Sequence, residues 1–210
     1  MKTFLLIITT LVITSFASSS KYEQQMLKHI EGLNKAESPQ DFQMLTNAFD
    51  RIAKAEKDKW EPYYYGAYST LLWSYRISEV SEKDKLIDQA LEKINTAAKL
   101  APQESEIVAL EGFAHMTRVT IDPASRGAQY SGLALQTYGK AMAMNPENPR
   151  AMLLMGQMQY GTAQFFGSDT SEACGLIKKS ISAFETYENN NPLAPAWGEG
   201  QAKAALGRCQ

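Results

Sequence analysis

The chain has 210 residues, with 21 Lys and Arg against 23 Asp and Glu, so its formal net charge of −2 offers no cationic counterpart to nucleic acid or an anionic membrane surface. With 44% hydrophobic residues it is long enough to bury one real core. Its two histidines lie far apart, which leaves no His-based zinc constellation, and neither metal nor cofactor is expected.

The first stretch, MKTFLLIITTLVITSFASSS, sets Lys2 ahead of an apolar run that ends in small residues. Ser15 and Ala17 suit the sites flanking a cut, so residues 1–17 read as a signal peptide and the mature chain as periplasmic or secreted. No later segment is apolar enough for a membrane span. Residues 18–38 are expected to hold an N-terminal capping helix, and 39–210 one helical domain.

Period and punctuation place helices near 22–36, 39–56, 60–78, 82–100, 104–121, 127–144, 148–165, 171–188 and 195–208. Ser38-Pro39, Asp122-Pro123 and Asn148-Pro149 read as an N-cap followed by Pro at the first helical position. Asp169 with Glu172 resembles a capping box. No segment alternates as a strand, so the fold is expected to be all-α.

Two of these helices carry residues that invite a functional reading. WEPYYYGAYSTLLWSY, residues 60–75, holds seven aromatics on all sides of one helix, which favours burial on two faces over stacking with a sugar ring. Glu111, His115, Arg118 and Asp122 follow at helical spacing and form one polar stripe. A Glu and His pair there has acid–base chemistry available, but a satisfied structural network with Tyr130, Tyr138 or Arg126, or a solvated face, is the expected reading. There is no Gly-rich phosphate loop and no G-x-S-x-G elbow, and Cys174 has no His near it in sequence, so no catalytic residue is assigned.

Cys174 and Cys209 are an even pair in a chain read as exported, which favours a disulfide. They are almost equidistant from a turn expected around Asn191 and Pro192. If that turn joins antiparallel helices, the two residues meet at the far ends of the pair.

A longer pattern underlies these elements. Ala90, Ile94, Ala97 and Pro102 recur as Ala134, Tyr138, Ala141 and Pro146, and again as Ser180, Phe184, Tyr187 and Pro192. Gly66, Gly112 and Gly156 recur upstream of them at 46 and 44 residues, a period that means stacked helical units. This small-x3-aromatic-x2-small-x4-Pro series, with a helical Gly after each of Pro102 and Pro146, resembles the tetratricopeptide repeat (TPR) signature over roughly residues 40–210. It is most similar to small exported TPR-like proteins of Bacteroidetes type. The period exceeds the usual 34 residues, and HEAT-like repeats are the fold alternative.

The resemblance implies a right-handed α-solenoid of antiparallel hairpins with a concave face lined by the first helix of each repeat. In that register Trp60, Tyr63, Ala67 and Thr70 face the groove, then Glu106, Ala109, Phe113 and Met116, then Arg150, Leu153, Gln157 and Tyr160. The function expected from this is a non-catalytic scaffold that binds a protein or peptide through Trp60, Tyr63, Phe113, Met116, Arg150, Leu153, Gln157 and Tyr160. Arg150 is suited to pair a partner's carboxylate. The alternative is a glycan or small-ligand module built on the 60–75 aromatics. The sequence sets no oligomeric state.

Overall fold

The structure, a computed structural model, describes residues 20–189 and 191–209. The signal-peptide reading of residues 1–17 falls outside the described residues. The described residues form nine α-helices and no strand. These are α1 Lys21–Leu33, α2 Pro39–Ala55, α3 Glu61–Ser74, α4 Val80–Leu100, α5 Ser105–Ile121, α6 Pro123–Met144, α7 Pro149–Phe166, α8 Ser171–Thr186 and α9 Glu199–Leu206, with a 3-10 turn at Gly207–Cys209.

Capping chemistry explains where the helices begin and end. Ser38 and Asp41 form a reciprocal capping box in front of Pro39, and the Asn148 side chain accepts from the Ala151 amide ahead of Pro149. The α7 helix stops in a Schellman arrangement, with Gly167 at φ +66° and the Ser168 amide donating back to Ala163. Helix α6 begins at Pro123, four residues before the expected 127, because Asp122 accepts from the Ser125 amide and Pro occupies the first turn. The expected Asp169–Glu172 box does not form: the Asp169 carboxylate accepts from the Ser171 amide and hydroxyl, at 3.1 and 2.8 Å. Helix α9 begins at Glu199 and not 195, because the residues before it are committed elsewhere.

Successive helices pack in antiparallel pairs, α3 with α4, α5 with α6 and α7 with α8. Helices α3, α5 and α7 also touch one another as an inner layer, leaving α4, α6 and α8 outside, which is the arrangement of a helical solenoid. The repeated small and aromatic positions are the core of this stack: Ala90, Ala97, Ala134, Tyr138 and Ala141 are all fully buried. Two of the three repeated glycines are packing requirements. A Cβ at Gly112 would enter the Tyr138 ring, and one at Gly156 would sit 2.8 Å from Ile177 and 3.1 Å from the Ala173 carbonyl. The cost of about 1 kcal/mol for Gly in a helix is offset by this close approach of neighbouring helices. Helix α1 docks through Met26, which is fully buried, and through the Tyr22 hydroxyl, which donates to Glu61.

Candidate functional site

The concave face is not an empty groove. Residues 191–198 run across it, starting in a turn closed by the Ala194 amide donating to the Asn191 carbonyl, and are hydrogen-bonded to the inner helices α3 and α7. Asn191 donates to Glu61 at 2.9 Å, the Tyr65 hydroxyl donates to the Ala194 carbonyl at 2.9 Å, and the Trp197 indole donates to the Tyr64 hydroxyl at 3.0 Å. From α7 the Arg150 guanidinium donates to the Pro195 carbonyl, and from α5 Glu106 accepts from Tyr187, just ahead of this strap, at 3.3 Å. Leu193 is buried among the α3 aromatics, and Trp197 stacks on Tyr68 with ring centroids 4.5 Å apart. Gly198 at φ +117° ends the strap against Phe184, where no Cβ fits.

The strap closes over a buried ion pair. Arg150 is 2% exposed and Glu106 1%, and they meet at 3.0 Å, with the guanidinium ringed by Phe184, Tyr187 and Trp197. Burial pushes the Glu106 carboxyl up from its usual range, with Arg150 opposing. Burial likewise keeps Tyr64, Tyr65 and Tyr68 protonated, as the hydrogen-bonding scheme requires.

The groove positions expected from sequence fall into three sets. Phe113, Arg150, Leu153 and Tyr160 meet the C-terminal segment: Phe113 packs on Trp197, Leu153 on Ala202 and Ala205, and Tyr160 donates to the Arg208 carbonyl at 2.8 Å. Trp60 and Tyr63 pack at the edge of the α3 core, Trp60 edge-on to Tyr64. Met116 and Gln157 line a separate cavity. The 60–75 aromatics are mainly core, with Tyr64, Tyr65 and Tyr68 all buried.

This cavity, of about 470 Å³, opens between the C-terminal halves of α5 and α7 and the start of α6. Met116, Val119, Ala128, Met158, Phe165 and Phe166 make its walls largely apolar, and no charged residue or His lines it. Phe165 and Phe166 stand at its rim 64% and 73% exposed, an unusual state for two adjacent aromatics. Gly127 and Gly161 line it with open space where a Cβ would be, so backbone forms part of its wall. Sequence reasoning reached Met116 and Gln157 here but missed the rim; the FFG that ends α7 was the available signal.

The polar stripe does not converge on a cavity. Arg118 pairs with Asp84 at 2.9 Å and with Asp88, both on α4, and Asp122 caps α6. His115 lies over Tyr130 with a lowered pKa caused first by burial, while Glu111 acts to raise it. Of the partners expected, Tyr130 meets both His115 and Arg118, and Arg126 joins through Asp84, which it binds at 2.7 and 2.8 Å and shares with Arg118; the α4 carboxylates are the partners that were not expected. Among the described residues no cluster of metal-ligating side chains is present. No helix there is long and apolar enough to cross a membrane. Cys174 and Cys209 form a disulfide that ties the end of α9 to α8.

No protein-family model matches the sequence, and no curated protein matches it. Among solved structures the chain is similar to the HusA haemophore from Porphyromonas gingivalis, with 29% identity and a TM-score of 0.81 over 91% of this chain and 94% of that one. It also resembles a thermophilic TPR protein of Thermus thermophilus, at 19% identity and a TM-score of 0.62 over 89% and 80% of the two chains, a likeness of fold alone. The chain has an all-α, TPR-like helical-repeat fold and is similar in fold and in sequence to the HusA haemophore.

Proposed function

We propose that the protein is an exported, non-catalytic carrier whose cargo is a large, planar, apolar ring of the porphyrin class, seated in the cavity between α5, α6 and α7. The observation that carries this reading is the uncharged cavity of about 470 Å³ with two exposed phenylalanines at its mouth. That volume lies in the range of small-molecule sites, and flat apolar walls suit a ring better than a hydrated sugar. The likeness to a haemophore supports the same ligand class. The disulfide suits an oxidising compartment, as the sequence reading of residues 1–17 also does.

The lining residues offer thioethers, from Met116 and Met158, but no imidazole, thiolate or phenol. Recognition therefore rests on the ring faces more than on iron. Titration with haem and with metal-free protoporphyrin, followed by the Soret band and by the rise in melting temperature, should give affinities within a few-fold of each other. Gly161→Leu places a side chain in open space in the cavity wall and removes the helical-glycine cost of about 1 kcal/mol, so it should preserve or raise stability while abolishing binding. Replacing Phe165 and Phe166 by Ser should weaken binding by about tenfold or more. Absence of a Soret change and of thermal stabilisation with either porphyrin would reject the carrier reading.

A protein or peptide partner on the concave face is the second reading, and the bonded strap gives it a specific chemistry.

A further inference from the structure

The inner helices hold the strap through side-chain and backbone groups alike, as they would hold a separate peptide. From the Asn191–Ala194 turn onward the segment is held by its burial: Leu193 and Pro195 are buried and Asn191, Ala194 and Trp197 half-buried, while Pro192 and Ala196 are exposed. The receptor side answers with four hydrogen bonds: Glu61 accepts from the Asn side chain, Tyr65 and Arg150 donate to the carbonyls of Ala194 and Pro195, and Tyr64 accepts the indole proton. Two prolines leave the segment few helical alternatives, so it lies in its bound form at a reduced entropic cost.

Both ends of the strap are fixed to the same helix. Its N-terminal end continues from α8, and beyond its C-terminal end α9 and the following turn are bonded to α8 through Cys174–Cys209. While that bond is intact the strap belongs to a closed loop, which limits how far it can move from the stack. Once it is cut, α9 retains little of its own: eight residues whose fully buried side chains are Ala202 and Ala205.

We propose that the concave groove is a receptor for a proline-containing peptide of the pattern Leu-x-Pro-x-Trp, filled in cis by the chain's own residues 191–197 and opened to such a partner by reduction of Cys174–Cys209. This rests on the second reading of function and is independent of the porphyrin cavity. Opening is a thiol–disulfide exchange with a dithiol. The protein S–S bond breaks, two cysteine thiols form, and the dithiol gives up two electrons and two protons to become a disulfide.

The test is fluorescence anisotropy with a labelled peptide of the sequence ENNNPLAPAWGE. The oxidised protein should not bind it. Cys209→Ser should bind it weakly, because the cis strap competes at high effective concentration. Adding Leu193→Ala and Trp197→Ala to that variant weakens the competitor and should tighten peptide binding at least tenfold, whereas a peptide with Leu and Trp replaced by Ala should not bind. Hydrogen exchange on the intact wild-type chain guards against a misfolded variant: a dithiol should speed exchange of the 191–198 amides at least tenfold while α3 stays protected. Unchanged protection of the strap after reduction, failure of the well-folded triple variant to bind, or equal binding by the oxidised protein would each overturn the proposal. Gly161→Leu separates the two readings, since it should leave peptide binding intact while removing porphyrin binding.

Discussion

Arg150 and Glu106 occupy equivalent positions in successive repeats, and both fall in the expected groove register. Arg150 meets a carboxylate as its chemistry suggests, but the carboxylate belongs to the chain itself. A buried pair contributes little beyond a well-packed apolar pair, whereas losing one partner leaves the other charge buried. Glu106→Ala should therefore cost about 3–5 kcal/mol in denaturant unfolding, and Glu106→Gln with Arg150→Met should recover most of it. The pH dependence has a definite sign. Because burial raises the Glu106 carboxyl, the folded state binds a proton that the unfolded chain has released, in the window between the ordinary and the raised value. Stability from this group thus falls as pH rises through that window. Asp84, held below its usual range first by its hydrogen bond from Arg126, acts in the opposite sense, its contribution being lost as pH falls below the ordinary carboxylate range. Glu106→Gln should remove only the first of these slopes from a stability–pH profile.

At the scale of helices, the repeated glycines separate packing from propensity. Gly112→Ala and Gly156→Ala should each destabilise by about 1–3 kcal/mol, since one meets a buried ring and the other a backbone carbonyl. Gly66→Ala should be neutral or gain up to about 1 kcal/mol, because its nearest contacts, Asp50 and Lys93 at 3.4 Å, are flexible side chains. Thermal unfolding of the three variants checks both signs. The helices and most of their caps were legible in the sequence because each is a local signal, Ser38, Asn148 and Pro149 acting within one turn of where they stand, and the period was legible because it recurs. The turn expected around Asn191 and Pro192 is present, closed by the Ala194 amide donating to the Asn191 carbonyl, but the course beyond it was not legible, because nothing local shows that residues 194–197 cross to α3 where a helix was expected from 195. The cavity was half legible: Met116 and Gln157 follow from repeat register, but Phe165 and Phe166 lie beyond the matched positions. Their exposure depends on where α7 stops relative to α6.

For the molecule as a whole, a stack of hairpins would hold each unit only to its neighbours, and the C-terminal segment changes that. The cysteines are 35 residues apart in sequence, so loop closure alone assigns their bond about 4 kcal/mol of stability. Chemical denaturation with and without a dithiol should show a loss approaching that size, concentrated in the α8–α9 end when followed by hydrogen exchange. The strap also bonds to α3 across 129 to 133 residues of sequence, from Tyr65 to Ala194, Glu61 to Asn191 and Tyr64 to Trp197. A ribosome delivers α3 long before it delivers those partners. During synthesis the aromatic inner surface is therefore assembled while its own cover has yet to emerge, and the nascent chain passes through an interval in which the groove is whole, uncovered and not yet closed by Cys209.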